Sequence, residues 1–208
     1  ARTEFGLLIA KVDNRGTPGR GKAFEGATYL RLGGPDIDDQ AVAASFLAER
    51  PYVDASRIGI SGHSYGGYAT LLAMLRHPEV FRVGVAGAAV SDWRQYDTIY
   101  TERYMRTPQE NAEGYDAGSA VKLAGNLKGK LLILHGLVDD NVHATNAWAL
   151  VEELQGKNIP FEMMCFPSAD HGIGGPAAEG VKWSFLLKHF GLLDEGAKGP
   201  ATAPSGAP

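Results

Sequence analysis

The residues in this chain best suited to chemistry are a serine in the pentapeptide Gly62-His63-Ser64-Tyr65-Gly66, two acidic residues at Asp139-Asp140, and a histidine at His171. The pentapeptide fits G-x-S-x-G, the sharp strand-to-helix turn that presents a nucleophilic serine. In such a turn the serine adopts strained backbone angles, and the positions two before and two after it approach neighbouring backbone so closely that a β-carbon is expected to clash at Gly62 and at Gly66. A serine hydroxyl is a weak nucleophile until a base takes its proton, and that base must itself be held in one tautomer by a carboxylate. The order serine, acid, histidine meets this need, with His171 as base and either Asp139 or Asp140 as the orienting acid. The helix that follows Ser64 aims its amide dipoles at the reacting oxygen, and the Tyr65 N–H is one donor for an oxyanion.

Other histidines and acids invite competing readings. His63 neighbours Ser64 in sequence, but the turn is expected to direct it away from the hydroxyl and into packing. His135 ends an apolar run and is expected to hydrogen-bond the loop that it begins. Asp170 reads as a loop carboxylate capping nearby amides. His135, Asp139, Asp140 and His143 are metal-ligand types, but their spacing matches no known site, and no metal or other cofactor is expected. Gly16 to Lys22 matches the start of a phosphate-binding loop, G-x-x-x-x-G-K. Ala23 stands where a Ser or Thr would hold magnesium, so a Gly/Pro loop is expected instead.

These residues need rigid elements beneath them. Short aliphatic runs at 7–12, 57–61, 82–88, 130–135 and 161–166 alternate with helix-length segments at 36–49, 68–76, 143–155 and 177–189. Near-continuous apolar runs mark strands buried on both faces, so a mostly parallel twisted sheet with helices on both faces is predicted, an α/β-hydrolase fold. Ser64, the acid pair and His171 then all follow carboxyl-terminal strand ends, where ligands gather in such sheets.

The 208 residues, 44% of them apolar, suit one main domain over 1–193, and the Gly/Pro/Ala-rich stretch 194–208 reads as a disordered tail. Twenty Lys and Arg against 24 Asp and Glu, with no basic cluster, argue against nucleic-acid binding. No apolar stretch reaches the length of a membrane span. Cys165 is the single cysteine, which excludes an intrachain disulfide and leaves the compartment open. The chain starts at Ala1 with no basic-then-apolar leader, so any targeting segment is expected to lie outside it.

In its motifs VDNRGTPGRG, GHSYGGY, VSDWRQYDTIYTERYM, HGLVDDNVH and DHGIGG, in that order, the chain resembles the prolyl oligopeptidase family of serine peptidases, in particular its dipeptidyl peptidase IV branch. The likeness runs from about Leu7 to His189. It implies a triad of Ser64, Asp139 and His171 and a proline-sized pocket formed by Tyr65, Val90, Trp93, Tyr96, Tyr100 and Val142, with Asn141 binding a substrate carbonyl. Flat aromatic faces with aliphatic walls suit a pyrrolidine ring. Without the likeness, the tyrosines of YDTIYTERYM read equally well as core packing. His63 replaces the tryptophan usual in that branch, with no effect on the catalytic assignments. A second oxyanion donor, a tyrosine, and a β-propeller that holds the substrate amine are implied upstream of Leu7. Peptide substrates, release of Xaa-Pro or Xaa-Ala dipeptides, frequent dimerisation and frequent export are further implications. The rivals are cleavage of esters or acylaminoacyl peptides by the same triad, and a non-catalytic binding module of the same fold.

Overall fold

The computed structural model describes residues 5–193, so the expected tail at 194–208 lies outside the described residues. In chain order the elements are α1 (Lys22–Glu25), α2 (Pro35–Ala48), β1 (Gly59–His63), α3 (Tyr65–Arg76), β2 (Val83–Gly87), α4 (Thr98–Met105), α5 (Ala112–Ala117), α6 (Ala120–Leu123), β3 (Lys130–Gly136), α7 (Thr145–Gly156), β4 (Glu162–Phe166) and α8 (Gly175–His189). The four strands form one parallel sheet in the order β1-β2-β3-β4.

Both faces of the central strands are apolar, as strands covered on two sides require. Val83, Val85, Leu132 and Leu134 point to one face and pack with Phe185, Leu186 and Phe190 around α8. Ala86, Leu131 and Ile133 point to the other and join Tyr68, Leu71, Leu72, Leu150 and Leu154 of α3 and α7 in the larger core. Gly84 is small because a β-carbon there would press into Met74 of α3. The sheet is therefore sandwiched between helices, and α3, buried along most of its length, is fixed beneath the strand ends.

Two expectations fail in detail. The run 7–12 is not a strand: Leu8 and Ile9 are 64% and 60% exposed, and the segment joins no ladder among the described residues. A strand needs a neighbour about 4.8 Å away, whereas a groove of ≈ 700 Å³ lined by Leu7, Ile9, Ile58 and Ile60 separates this segment from β1. The second concerns α3, which starts at Tyr65 rather than at residue 68, because the helix begins immediately after the serine of the turn.

Candidate active site

Ser64 sits between β1 and α3 at φ 57°, ψ −119°, a left-handed conformation that a side-chain-bearing residue adopts only when its surroundings enforce it. The enforcing bonds are Ser64 N–H to the Gly87 carbonyl at 2.9 Å, and Tyr68 N–H to the Ser64 carbonyl at 3.0 Å. A β-carbon on Gly62 would run into the backbone of Gly66, so Gly62 must be glycine. The expected clash at Gly66 is absent, since nothing lies within 4 Å of its β-carbon position. The close approach is one contact seen from one side only. Gly67, not singled out from sequence, is the second obligatory glycine, because a β-carbon there would strike the Gly87 carbonyl.

His171 lies in the loop after β4, and that loop is laced to the one after β3. Leu137 N–H donates to the Phe166 carbonyl at 3.0 Å, and Val138 N–H to the Ala169 carbonyl at 3.2 Å. Gly136 permits this approach, since a β-carbon there would meet the carbonyls of Ala169 and Asp170. Asp170 accepts the Gly172 N–H at 2.8 Å, a local loop bond.

The lacing brings three side chains into line. His171 Nδ1 is 2.9 Å from Asp139 Oδ2, and His171 Nε2 is 2.8 Å from Ser64 Oγ. A carboxylate only accepts, so Nδ1 carries the proton, and in the neutral ring Nε2 is then the acceptor facing the serine hydroxyl. Asp139 is 2% exposed, and its other oxygen accepts the N–H groups of Asn141 (3.0 Å) and Val142 (2.9 Å). Asp140 is exposed, so of the adjacent pair it is Asp139 that faces the imidazole.

Tyr65 is the first residue of α3, so its N–H has no acceptor within the helix and lies beside Ser64. Its hydroxyl donates to Asp36 Oδ2 at 2.8 Å, a partner not foreseen from sequence, where Asp36 is simply an acidic residue in a helix's first turn. Burial, followed by the nearby Asp36 charge, holds the Tyr65 phenol well above its ordinary pKa. Trp93 lies 5.8 Å from Tyr65, 5.8 Å from Tyr96 and 5.7 Å from Tyr100, nearly stacked on the last. Asp92 caps the turn carrying Trp93 by accepting Arg94 N–H, and Asp97 caps α4 by accepting Tyr100 N–H, both at 2.8 Å. Val90 and Val142 are buried in the same core. Tyr96 Oη donates to Asn141 Oδ1 at 2.7 Å, tying the aromatic cluster to the acid loop. Burial pushes the Tyr100 phenol up to about 12.

The remaining histidines divide. His135 Nε2 is 2.9 Å from the Val142 carbonyl, a bond to its own loop. His63 is exposed at the end of β1, and its ring packs against that of His171, the centroids 5.0 Å apart; partial desolvation, with the neighbouring His171, lowers its pKa. His143 Nδ1 faces Thr145 Oγ1, and among the described residues no group of three His, Cys, Asp or Glu is arranged to hold a metal ion. No helix among them is long and apolar enough to cross a membrane.

The model of the prolyl oligopeptidase family matches residues 1–192. A protein of Aspergillus clavatus described as "Probable dipeptidyl peptidase 4" is 47% identical over 175 residues, covering 82% of this chain and 23% of that protein. Human dipeptidyl peptidase 8 is 39% identical over 190 residues, covering 89% of this chain and 21% of the relative. The crystal structure of Porphyromonas gingivalis dipeptidyl peptidase 4 superimposes with a TM-score of 0.83 at 46% identity, over 85% of this chain and 26% of that one. The chain thus spans about a quarter of the length of these relatives.

Proposed function

We propose, from the premise that the chain belongs to the prolyl oligopeptidase family and has the α/β-hydrolase fold, that it provides the catalytic centre of a serine peptidase releasing Xaa-Pro or Xaa-Ala dipeptides from free amino termini. The observation that carries this reading is the unbroken line from Ser64 Oγ through His171 to Asp139.

In this mechanism His171 Nε2 takes the Ser64 proton as Oγ attacks the peptide carbonyl. The charge that develops on the carbonyl oxygen faces the Tyr65 N–H, and Asp139 stabilises the imidazolium. His171 then returns the proton to the leaving amine, the C–N bond breaks, and a dipeptidyl ester remains on Ser64. A water molecule, deprotonated by the same imidazole, hydrolyses that ester. No step calls for a cofactor.

Specificity follows from the aromatic cluster. Trp93, Tyr96 and Tyr100 with Val90 and Val142 suit an apolar, compact ring at the residue before the cut, and Asn141 is suited to hold a substrate carbonyl. Recognition of the free amine belongs in this reading to parts of the polypeptide outside this chain, the β-propeller that the family likeness implies. Homodimerisation is a second expectation from the same source.

The test is chromophore release from a free-amine Gly-Pro anilide by the full-length polypeptide, wild type beside Ser64→Ala. Turnover by wild type alone supports the assignment. Loss of anilide turnover in both, with wild type still cleaving an aryl ester, would leave an esterase or acylaminoacyl-peptidase in its place.

A further inference from the structure

His135 is the penultimate residue of β3, outside the line from Ser64 to Asp139, yet it is completely buried. Its Nε2 lies 2.9 Å from the Val142 carbonyl, which can only accept, so Nε2 carries the proton. Nδ1 is then a bare lone pair, buried with no hydrogen-bond partner among the described residues. An orphaned buried acceptor of this kind costs stability. The same Nε2 is 3.7 Å from Asp139 Oδ2, the oxygen that meets His171. The ring therefore spans the turn 136–142 from its root to its end, beneath Asp139 itself, and Asn141 and Val142 lie on the same turn.

We propose that His135 is a positioning residue for Asp139: its Nε2–H, donated to the Val142 carbonyl, fixes the turn so that Oδ2 stays aimed at His171. The inference rests on the catalytic reading of Ser64, Asp139 and His171. Leu137 and Val138 are held by backbone bonds to the neighbouring loop. Past Asp139, the turn is held by the two amides that Asp139 itself accepts, by the Tyr96 hydroxyl on the Asn141 side chain and by the His135 bond. Of these, only the His135 bond holds the backbone at Val142 from outside the turn without using the carboxylate.

The ring must be neutral to do this without competing for the carboxylate. Burial lowers its pKa, opposed by the Val142 bond and by Asp139, while His171 and His143 lower it further. Two further titratable neighbours remain: His63, whose own pKa is lowered in part by His135, and Cys165, the ladder partner on β4, whose thiol burial pushes up and so keeps uncharged at neutral pH.

The experiment uses the full-length polypeptide with His135→Met, which removes the donor at similar volume, and His135→Gln, whose amide N–H reaches the place of Nε2–H. For each variant, kcat and KM on Gly-Pro anilide and on an aryl ester are followed across pH, beside the thermal midpoint. His135→Met is expected to lower kcat about tenfold or more on both substrates. It should also move the acid limb to lower pH, because His171 loses part of its carboxylate partner. His135→Gln should recover most of both effects. A lower midpoint with kcat and the acid limb unmoved would overturn the inference. Should His135→Met not fold, His135→Asn, too short to reach Val142, replaces it, and equal kcat in the Asn and Gln variants overturns the inference. Wild type lacking any Ser64-dependent turnover of either substrate would instead sink the catalytic reading beneath it.

Discussion

Asp139 meets His171 through one oxygen while its other oxygen is committed to the amides of Asn141 and Val142. The carboxylate thus cannot rotate to offer the imidazole a different lone pair without breaking its own turn. Asp139→Asn keeps the size and, with its oxygen in the place of Oδ1, keeps both amide bonds. Its NH2 group then faces the Nδ1 proton of His171 and drives the ring toward the wrong tautomer. The expected result is a loss in kcat of about 10⁴ with the fold retained, read by single-substrate kinetics beside circular dichroism. A loss under tenfold would show that the acid is not Asp139.

The turn around Ser64 makes opposite demands on its two flanking glycines. Gly62→Ala places a methyl group inside the Gly66 backbone, and should destabilise the protein by about 3 kcal/mol or more. Gly66→Ala meets open space within the first turn of α3 and is expected to leave stability unchanged or raise it by about 0.5–1 kcal/mol, the ordinary helix preference for alanine. Denaturant melts of the two variants decide, and equal destabilisation would refute the asymmetry.

The strands that pack on both faces were legible in the sequence because their apolar runs leave no solvent side. The order of serine, acid and histidine was equally plain because each follows such a run. Which member of Asp139-Asp140 faces His171 was not legible from the residues, since both leave the strand together and only the turn geometry separates them. The contact between His63 and His171 was hidden for a similar reason, as it depends on where the loop after β4 returns. The run 7–12 misled because an aliphatic segment carries the same signal whether or not a neighbour pairs with it. Asp36 gave no sign of its bond to Tyr65 because its position is typical of an acid near a helix start.

Tyr100 tests the proposed pocket. It lies nearly parallel to Trp93 and closes the cluster on the α4 side. Tyr100→Ala removes that wall, and should cut kcat/KM for the Gly-Pro anilide about 10–100-fold while sparing an aryl ester that does not fill the pocket. An equal loss on both substrates would mean that the tyrosine supports the fold and not the choice of substrate.

Asp36 makes a prediction with a definite sign in pH. Its carboxyl is buried, one oxygen has no partner among the described residues, and burial outweighs the bonds from Tyr65 and nearby amides to raise its pKa above the ordinary 3.8. The folded state therefore binds this proton more tightly than the unfolded state. Its contribution to stability is complete below the ordinary value and is lost as pH rises through the raised folded one, so at neutral pH the buried charge works against the fold. Asp36→Asn keeps an acceptor for the Tyr65 hydroxyl and never ionises. Urea melts of both proteins between neutral pH and about pH 4 should show the variant more stable at neutral pH, with its advantage shrinking once the pH falls through the raised folded value toward the ordinary one. A difference independent of pH, or a variant weaker at neutral pH, would mean that the bond from Tyr65 and the surrounding amides, rather than burial, set the ionisation of Asp36.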